Sequence, residues 1–584
     1  MSQAEKASRE GSPVADPPRN QDGEPKIQQQ QQAAAIPPPG PPAPPVYPTG
    51  LAFGTILFAL FISLFCVALD STIIATAIPR ITDQFHALQD VGWYGSSYLL
   101  TKCAFQLPFG RCFRFFSLKW TFLVALFIFE IGSVLCAAAN SSAMLIVGRT
   151  IAGVGCAGIS SGGLIIIANI TPMEKRATYQ SLYGGIFGIA SVVGPLVGGV
   201  FTDKVTWRWC FWINLPLGAV SAAFIIFSLR LPPKPSPLKE MGLAKLLWNL
   251  DPIGFVLFVP SIICLLFTLQ WGGTTYAWNS AQMIALFVVF GVTLIAFGVS
   301  QVWLGEGGTL PPRIAKQRTI FASSIFTFCL AGTFFLLSYF IPIYFQAIKG
   351  ETALQSGLDT IPLILPNVIG ILFAGFGTSK IGYYVPFIYL AVVLAPIGAG
   401  LLSTLGPSTT TAQWIGYQIL FGFGSGCGFQ LPQVAAQIVL PPRDIPTGIS
   451  VSMLFQGLGG SVLISAANNV LNSRLLQNVD ALAIPGVTGM DVINAGATGF
   501  RAIVPEQYIG VVIDQYGHAL RQAFQIAVIM ACLSALPAAL LEWKSVKKPQ
   551  GPGGPPPAAT QQKLAEPKPE SLSQSDVEKG TSSS

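Results

Sequence analysis

The chain has 584 residues, of which 51% are hydrophobic and only 10% charged, whereas about a quarter are charged in soluble domains. Its net charge of +7 is spread over short loops and not gathered on one segment, which excludes a nucleic-acid partner as the expectation and points to membrane orientation instead. Two histidines and ten cysteines scattered singly offer neither metal-ligand spacing nor a disulfide framework, so no metal and no other cofactor is expected.

Taken in chain order, residues 1–48 hold Gln28 to Gln32 and the proline-rich stretch Pro37 to Pro48. Such a segment cannot bury enough apolar surface to fold, and a disordered tail is expected. From Leu51 to Leu541, apolar runs of about twenty residues recur, each long enough as a helix to cross about 30 Å of hydrocarbon. Ile56 to Leu69 is almost uninterrupted in apolar character, unlike the alternating strands of a membrane barrel. Spans are predicted near 51–78, 91–113, 119–139, 143–170, 178–201, 209–229, 251–271, 281–304, 319–346, 354–378, 383–404, 412–439, 447–472 and 518–541. The expected fold class is an all-α membrane protein with fourteen transmembrane helices. A long outer loop is expected over 473–517, and a second disordered tail over 545–584.

Alternate loops differ in basic content. One side carries fourteen Lys and Arg, among them Arg111, Arg114, Lys234, Lys239, Lys245, Arg313 and Arg443; the other carries four, Arg80, Lys204, Arg208 and Lys349. The richer side is expected to be cytoplasmic, with both tails on it, as Lys544, Lys547 and Lys548 after the last span agree. The sequon Asn140-Ser141-Ser142 then falls in an outer loop close to the membrane, which leaves its glycosylation open.

Spans eight places apart resemble one another. The fourth has Gly153, Gly155 and Gly158, the twelfth Gly422, Gly424, Gly426 and Gly428; Gly194 to Gly199 in the fifth matches Gly457 to Gly460 in the thirteenth. Two six-helix halves, 49–230 and 306–544, separated by a linker 231–305 with two additional central helices, account for this offset.

Ionisable groups inside spans cost about 2.5–3.5 kcal/mol on insertion scales, so each asks for a use or a partner. Asp70, in Leu69-Asp70-Ser71-Thr72, reads as a proton or cation site, or else as an interfacial carboxylate near the outer end of its helix. Arg149 needs a carboxylate, for which Asp70 and Glu130 are the candidates, and the pair is either structural or coupled to function. Lys102 and Glu130 pair with one another, recognise a charged substrate, or act as structural glue. Gly188, Gly194, Pro195, Gly198 and Gly199 in the fifth span form a packing seam, a flexing element, or both.

These residues resemble the major facilitator superfamily, in particular its fourteen-span drug:proton antiporter branch of fungal toxin and secondary-metabolite efflux pumps, over residues of about 50 to 545. Leu69 to Pro79 is similar to the first-span motif of that branch, Arg149 with Gly153 and Gly155 to its fourth-span motif, Gly188 to Gly199 to its antiporter signature, and Trp207 to Pro216 to the approach of its sixth span. The resemblance implies a major facilitator fold that exports small amphipathic organic compounds by alternating access. Asp70, Arg149 and Glu130 then serve proton coupling, and Lys102, Trp93, Tyr94, Phe335 and Tyr339 become cavity candidates. The expected partners are a small-molecule substrate, protons and the lipid bilayer, for a monomer in the plasma membrane, or alternatively the vacuolar one. Import of a nutrient, amino acid or metal chelate on the same fold, or a non-transporting sensor, are the alternatives; an enzyme is not expected, since no nucleophile with its base stands in a span. One departure stands out: where the family's loop after the second span carries a gating aspartate, this chain has Arg114, so the latch that this acid supplies is not expected here.

Overall fold

The computed structural model describes residues 47–87, 90–230, 242, 248–273 and 276–547. The expected tails over 1–46 and 548–584, with Lys548, and the linker lysines Lys234, Lys239 and Lys245 lie outside the described residues.

Among the described residues the helices run back and forth, and each predicted span finds one. The first half comprises α1 (Gly50–Phe85), α2 (Val91–Phe115), α3 (Leu118–Ala137), α4 (Ser142–Ile170), α5 (Met173–Lys204) and α6 (Asn214–Ser228). The linker supplies α7 (Pro252–Trp271) and α8 (Ala281–Leu304). The second half comprises α9 (Arg318–Tyr344), α10 (Ile361–Ile381), α11 (Val385–Leu402), α12 (Thr411–Phe429), α13 (Ile445–Asp480) and α14 (Glu506–Leu533). Among the described residues, twelve helices are both long and apolar enough to cross a membrane. The other two, α2 and α12, are diluted by Lys102, Arg111 and Arg114 and by glycine and glutamine respectively. Most of their polar and glycine positions are turned to protein, which is why their lower hydropathy is tolerated.

Glycine sets the internal order of each half. In the first, α4 lies between α2 and α3: a Cβ on Gly153 would stand 2.3 Å from the Tyr98 carbonyl oxygen on α2, and one on Gly155 would stand 2.4 Å from the Phe129 amide nitrogen on α3. In the second, α12 lies between α10 and α11 in the same way, with Gly426 against the Asn367 carbonyl and Gly424 against Ala395. The repeat eight spans apart is therefore a repeat of packing. Because only backbone stands opposite Gly155, the strain cannot relax through a side chain. Gly155→Ala is expected to cost about 1–3 kcal/mol of overpacking, read as a lowered unfolding midpoint in detergent, whereas Gly199→Ala, with open space around its Cβ position, should leave the midpoint near that of the parent protein.

The halves meet along two seams. On one, α2 packs on α13, with Gly110 against Ser450 and the Pro446 carbonyl; on the other, α5 packs on α10, with Gly375 against Ser181 and the Ala177 carbonyl. Helix α7 stacks on the α2–α13 seam through Phe258, Ile262 and Leu266, and α8 packs on α7, with Phe297 against Phe258 at 5.0 Å. Along α8, Val292, Ile295, Val299 and Val302 stay exposed in a continuous stripe, the face that lipid would cover. Asp251 joins the linker pair together: buried, it accepts from Gln301 at 2.9 Å, from the Thr309 amide at 2.7 Å and from the Gly254 amide at 2.7 Å.

Three boundaries depart from expectation. Helix α1 continues past 78 to Phe85 because its last turns are packed, with Phe85 edge-on to Trp207 at 5.8 Å and Gln84 accepting from Trp207 Nε1 at 2.8 Å. The stretch 473–517 is mostly helical and not a loop: α13 reaches Asp480, a capped helix spans Gly489–Ile503, and α14 begins at Glu506. Thr488 and Asp491 form the capping box of that helix, and Arg501 donates to the Ala347 carbonyl at 2.9 Å, which anchors it on the end of α9. After the last helix, the beginning of the expected tail is docked, with the Val546 amide donating to Gly382 O at 2.8 Å.

Candidate substrate cleft, buried ion pair and end clasp

Three groups of polar side chains interrupt the apolar interior. The first joins α1, α4 and α6. Arg149 Nη1 donates to Asp70 Oδ2 at 2.5 Å, and both side chains are about 1% exposed. Arg149 Nε donates to the Tyr94 carbonyl at 2.8 Å, and the guanidinium lies 4.3 Å from the Tyr98 ring centre. Asn214 Nδ2 donates to Asp70 Oδ1 at 3.3 Å and to Ser133 Oγ at 3.2 Å. Of the two acids left open as partners for Arg149, Asp70 holds it. Asp70 is buried within the protein, four residues before the apolar stretch Gly50–Ile74 of its helix ends.

Glu130 stands apart. It faces α6, where a Cβ on Gly218 would lie 1.9 Å from its Oε1. Neither of its carboxylate oxygens has a hydrogen-bond partner among the described residues, and it pairs with neither Arg149 nor Lys102. An ionised carboxylate tolerates such surroundings poorly.

The second group lines a narrow cleft of about 100 Å³ between the halves. Lys102 and Gln106 of α2 and Tyr183 and Phe187 of α5 face Phe335 of α9, Gln430 and Gln433 at the end of α12, and Gln456 of α13. Lys102 and Phe335 are thus where the cavity was expected. Trp93 and Tyr94 are elsewhere: Trp93 packs on Phe267 and Trp271 of α7 at 5.2 and 5.6 Å, and Tyr94 is buried and donates to Ser142, while Tyr339 lies one turn beyond Phe335 on α9 with an accessible ring. Aromatic character alone did not tell an interior face from a helix seam. The glutamines were missed, although Gln430, Gln433 and Gln437 recur at helical spacing on one face.

The fifth-span residues divide between two neighbours. A Cβ on Gly194 or Gly198 would meet Thr72 or Thr76 on α1 at 2.1 and 2.4 Å, one on Gly188 would meet Val368 on α10 at 2.2 Å, and Gly199 faces open space. Pro195 lies within the helix. Helix α5 therefore touches both the element carrying Asp70 and the other half.

The third group lies at the end of the bundle where α2 turns into α3, and it corrects an expectation. Arg114 Nη2 of the first half stands 3.3 Å from Asp444 Oδ1, just ahead of α13 in the second half, and 4.0 Å from Glu306 Oε2 of the linker. Arg313 donates to Asp444 Oδ2 at 2.7 Å and holds Glu306 through both carboxylate oxygens at 3.0 and 3.2 Å. Alongside, Arg111 donates to the carbonyls of Asn249, Gly307 and Gly308. A charged clasp between the halves thus exists with its signs exchanged: the first half gives the cation and the second the acid. The local sequence Arg443-Asp444 was the available signal, but only folding brings it to Arg114.

A solved proton:xylose symporter has the same fold, with a TM-score of 0.53 over 83% of this chain and 94% of that chain at 14% identity. The efflux pump aflT of Aspergillus parasiticus is 48% identical over 500 residues, 86% of this chain and 97% of that protein. The MFS-type efflux pump MFS1 of Trichophyton rubrum is 50% identical over 499 residues, 85% of this chain and 93% of that protein. The model of the Major Facilitator Superfamily matches residues 60–463. With two packed half-bundles, a cleft between them and this match over most of its helices, the chain belongs to the Major Facilitator Superfamily.

Proposed function

We propose that this chain is a proton-coupled exporter of small amphipathic organic compounds, a carrier and not a catalyst. Its halves, joined through α7 and α8, would rock about the cleft so that it opens to one side of the membrane at a time. The buried Asp70–Arg149 pair carries the reading: it is a protonatable group with its counter-charge, set in the half whose α5 glycines touch both α1 and the opposite half. Relatives named as efflux pumps support the outward direction. The lysine and arginine excess supports placing the Arg114 end and both termini in the cytoplasm. A monomer suffices, since the cleft is built from one chain.

The test is flux in vesicles containing the purified protein, with pyrenebutyrate as the fluorescent probe and an acidic lumen. Antiport moves protons out of the lumen and the probe into it, opposite to the passive partition of a weak acid. Movement of probe and protons in the same direction would replace export with symport-driven uptake.

A further inference from the structure

The cleft has an unbalanced chemistry. Lys102 is the one charged side chain along it, and no carboxylate lines it. Among the described residues its ammonium enters no ion pair; the nearest recorded partner is the face of the Phe187 ring, 5.9 Å away. Around it are amide groups in place of counter-ions. Gln433 Nε2 reaches Gln456 Oε1 only at 3.4 Å, Gln433 Oε1 has no partner, and Gln106 Nε2 contacts only the sulfur of Met453 at 3.6 Å. Gln430 Oε1 lies 2.8 Å from where a Cβ on Gly184 would stand, so glycine there leaves the amide its room. Opposite the amides are rings, with Phe335 and Phe429 in edge contact at 6.1 Å.

A cation deep in a membrane protein is retained where it meets a charge of opposite sign. Arg149 and Arg114 each have theirs within the chain; Lys102 does not. We infer that the missing counter-charge belongs to the substrate, so that the cleft selects organic anions: an aromatic or otherwise apolar ring system bearing a carboxylate or an ionised phenol or enol. Lys102 meets the anionic oxygen, the glutamine amides donate to its neighbouring oxygens, and the phenylalanines cover the ring faces. Organic cations find no acid there, and Lys102 repels them. This rests on the reading of the cleft as the transport site, and it adds the sign of the cargo.

Binding to the purified full-length protein tests it without requiring transport. Three fluorescent probes share one ring system: pyrenebutyrate, its neutral primary amide, and pyrenebutylamine as the cation. The parent protein should bind the anion about tenfold or more tightly than either of the others. Lys102→Gln should bring the three within about twofold of one another, while Lys102→Arg, which keeps the charge, should preserve the order. Unfolding midpoints confirm that each variant is folded. Equal binding of the three probes by the parent, no binding of pyrenebutyrate, or an anion preference that survives Lys102→Gln would overturn the inference. Anion-selective binding without proton-driven flux would keep it and remove the export reading. Proton-driven flux with no preference for the anion would do the reverse.

Discussion

Asp70→Asn is expected to reduce probe accumulation under a pH gradient to the level of vesicles that lack the protein. With one proton exchanged per substrate, each pH unit sustains at most about a tenfold concentration ratio, so the parent protein under a two-unit gradient has up to about 100-fold to lose. An asparagine has nearly the shape of the aspartate and keeps an oxygen facing Arg149 Nη1, now 2.5 Å from Asp70 Oδ2. It takes up no proton. A structural role alone predicts something else: removing one charge of a fully buried pair costs about 3–5 kcal/mol, and any loss of transport should then follow the loss of stability. The second substitution separates the two. Arg149→Gln on the Asp70→Asn background removes the orphaned cation and should recover much of the unfolding midpoint, yet accumulation should stay at background. Recovery of proton-driven transport in that double variant would reduce the pair to a structural brace.

The sequence showed the bundle because hydrophobicity is a local property: an apolar run of the right length is a span whatever its neighbours do. Each of the fourteen predicted spans corresponds to a helix, and the glycine repeat reports a real repetition of α4 in α12. Ends were less legible. Whether α1 stops at 78 or runs on to Phe85 depends on Trp207, far along the chain. Within the site, Asp70 and Arg149 announce themselves because an ionised group in a span is costly. Glutamines carry no such cost, so the amide face of the cleft left only a faint periodic trace. Arg114 was visible as an anomaly, but its meaning was not, since a reversed sign reads as a loss until Asp444 and Glu306 are seen beside it.

Asp444→Asn is expected to loosen the Arg114 end more than Arg114→Gln does, and the reason is the sharing of Asp444. It faces Arg114 at 3.3 Å and Arg313 at 2.7 Å. Without Arg114, Asp444 remains matched by Arg313. Without the acid, two arginines face each other, and Arg114, its side chain 2% exposed, is left with Glu306 at 4.0 Å. Glu306 is itself 59% exposed, where an ion pair contributes about 0–1 kcal/mol. The readout is a cysteine placed at Ser450, on the α2–α13 seam where Gly110 makes its close approach, in a background freed of native cysteines. Its labelling by a water-soluble maleimide should quicken in Asp444→Asn by about twofold to 150-fold, the range of direct couplings of 0.5–3 kcal/mol. Adding Arg114→Gln to Asp444→Asn removes the stranded cation, so labelling should slow again toward the Arg114→Gln rate. Additive effects, or a faster rate in Arg114→Gln than in Asp444→Asn, would mean that the halves are held by the glycine seams alone and that the exchanged charges do not form a clasp.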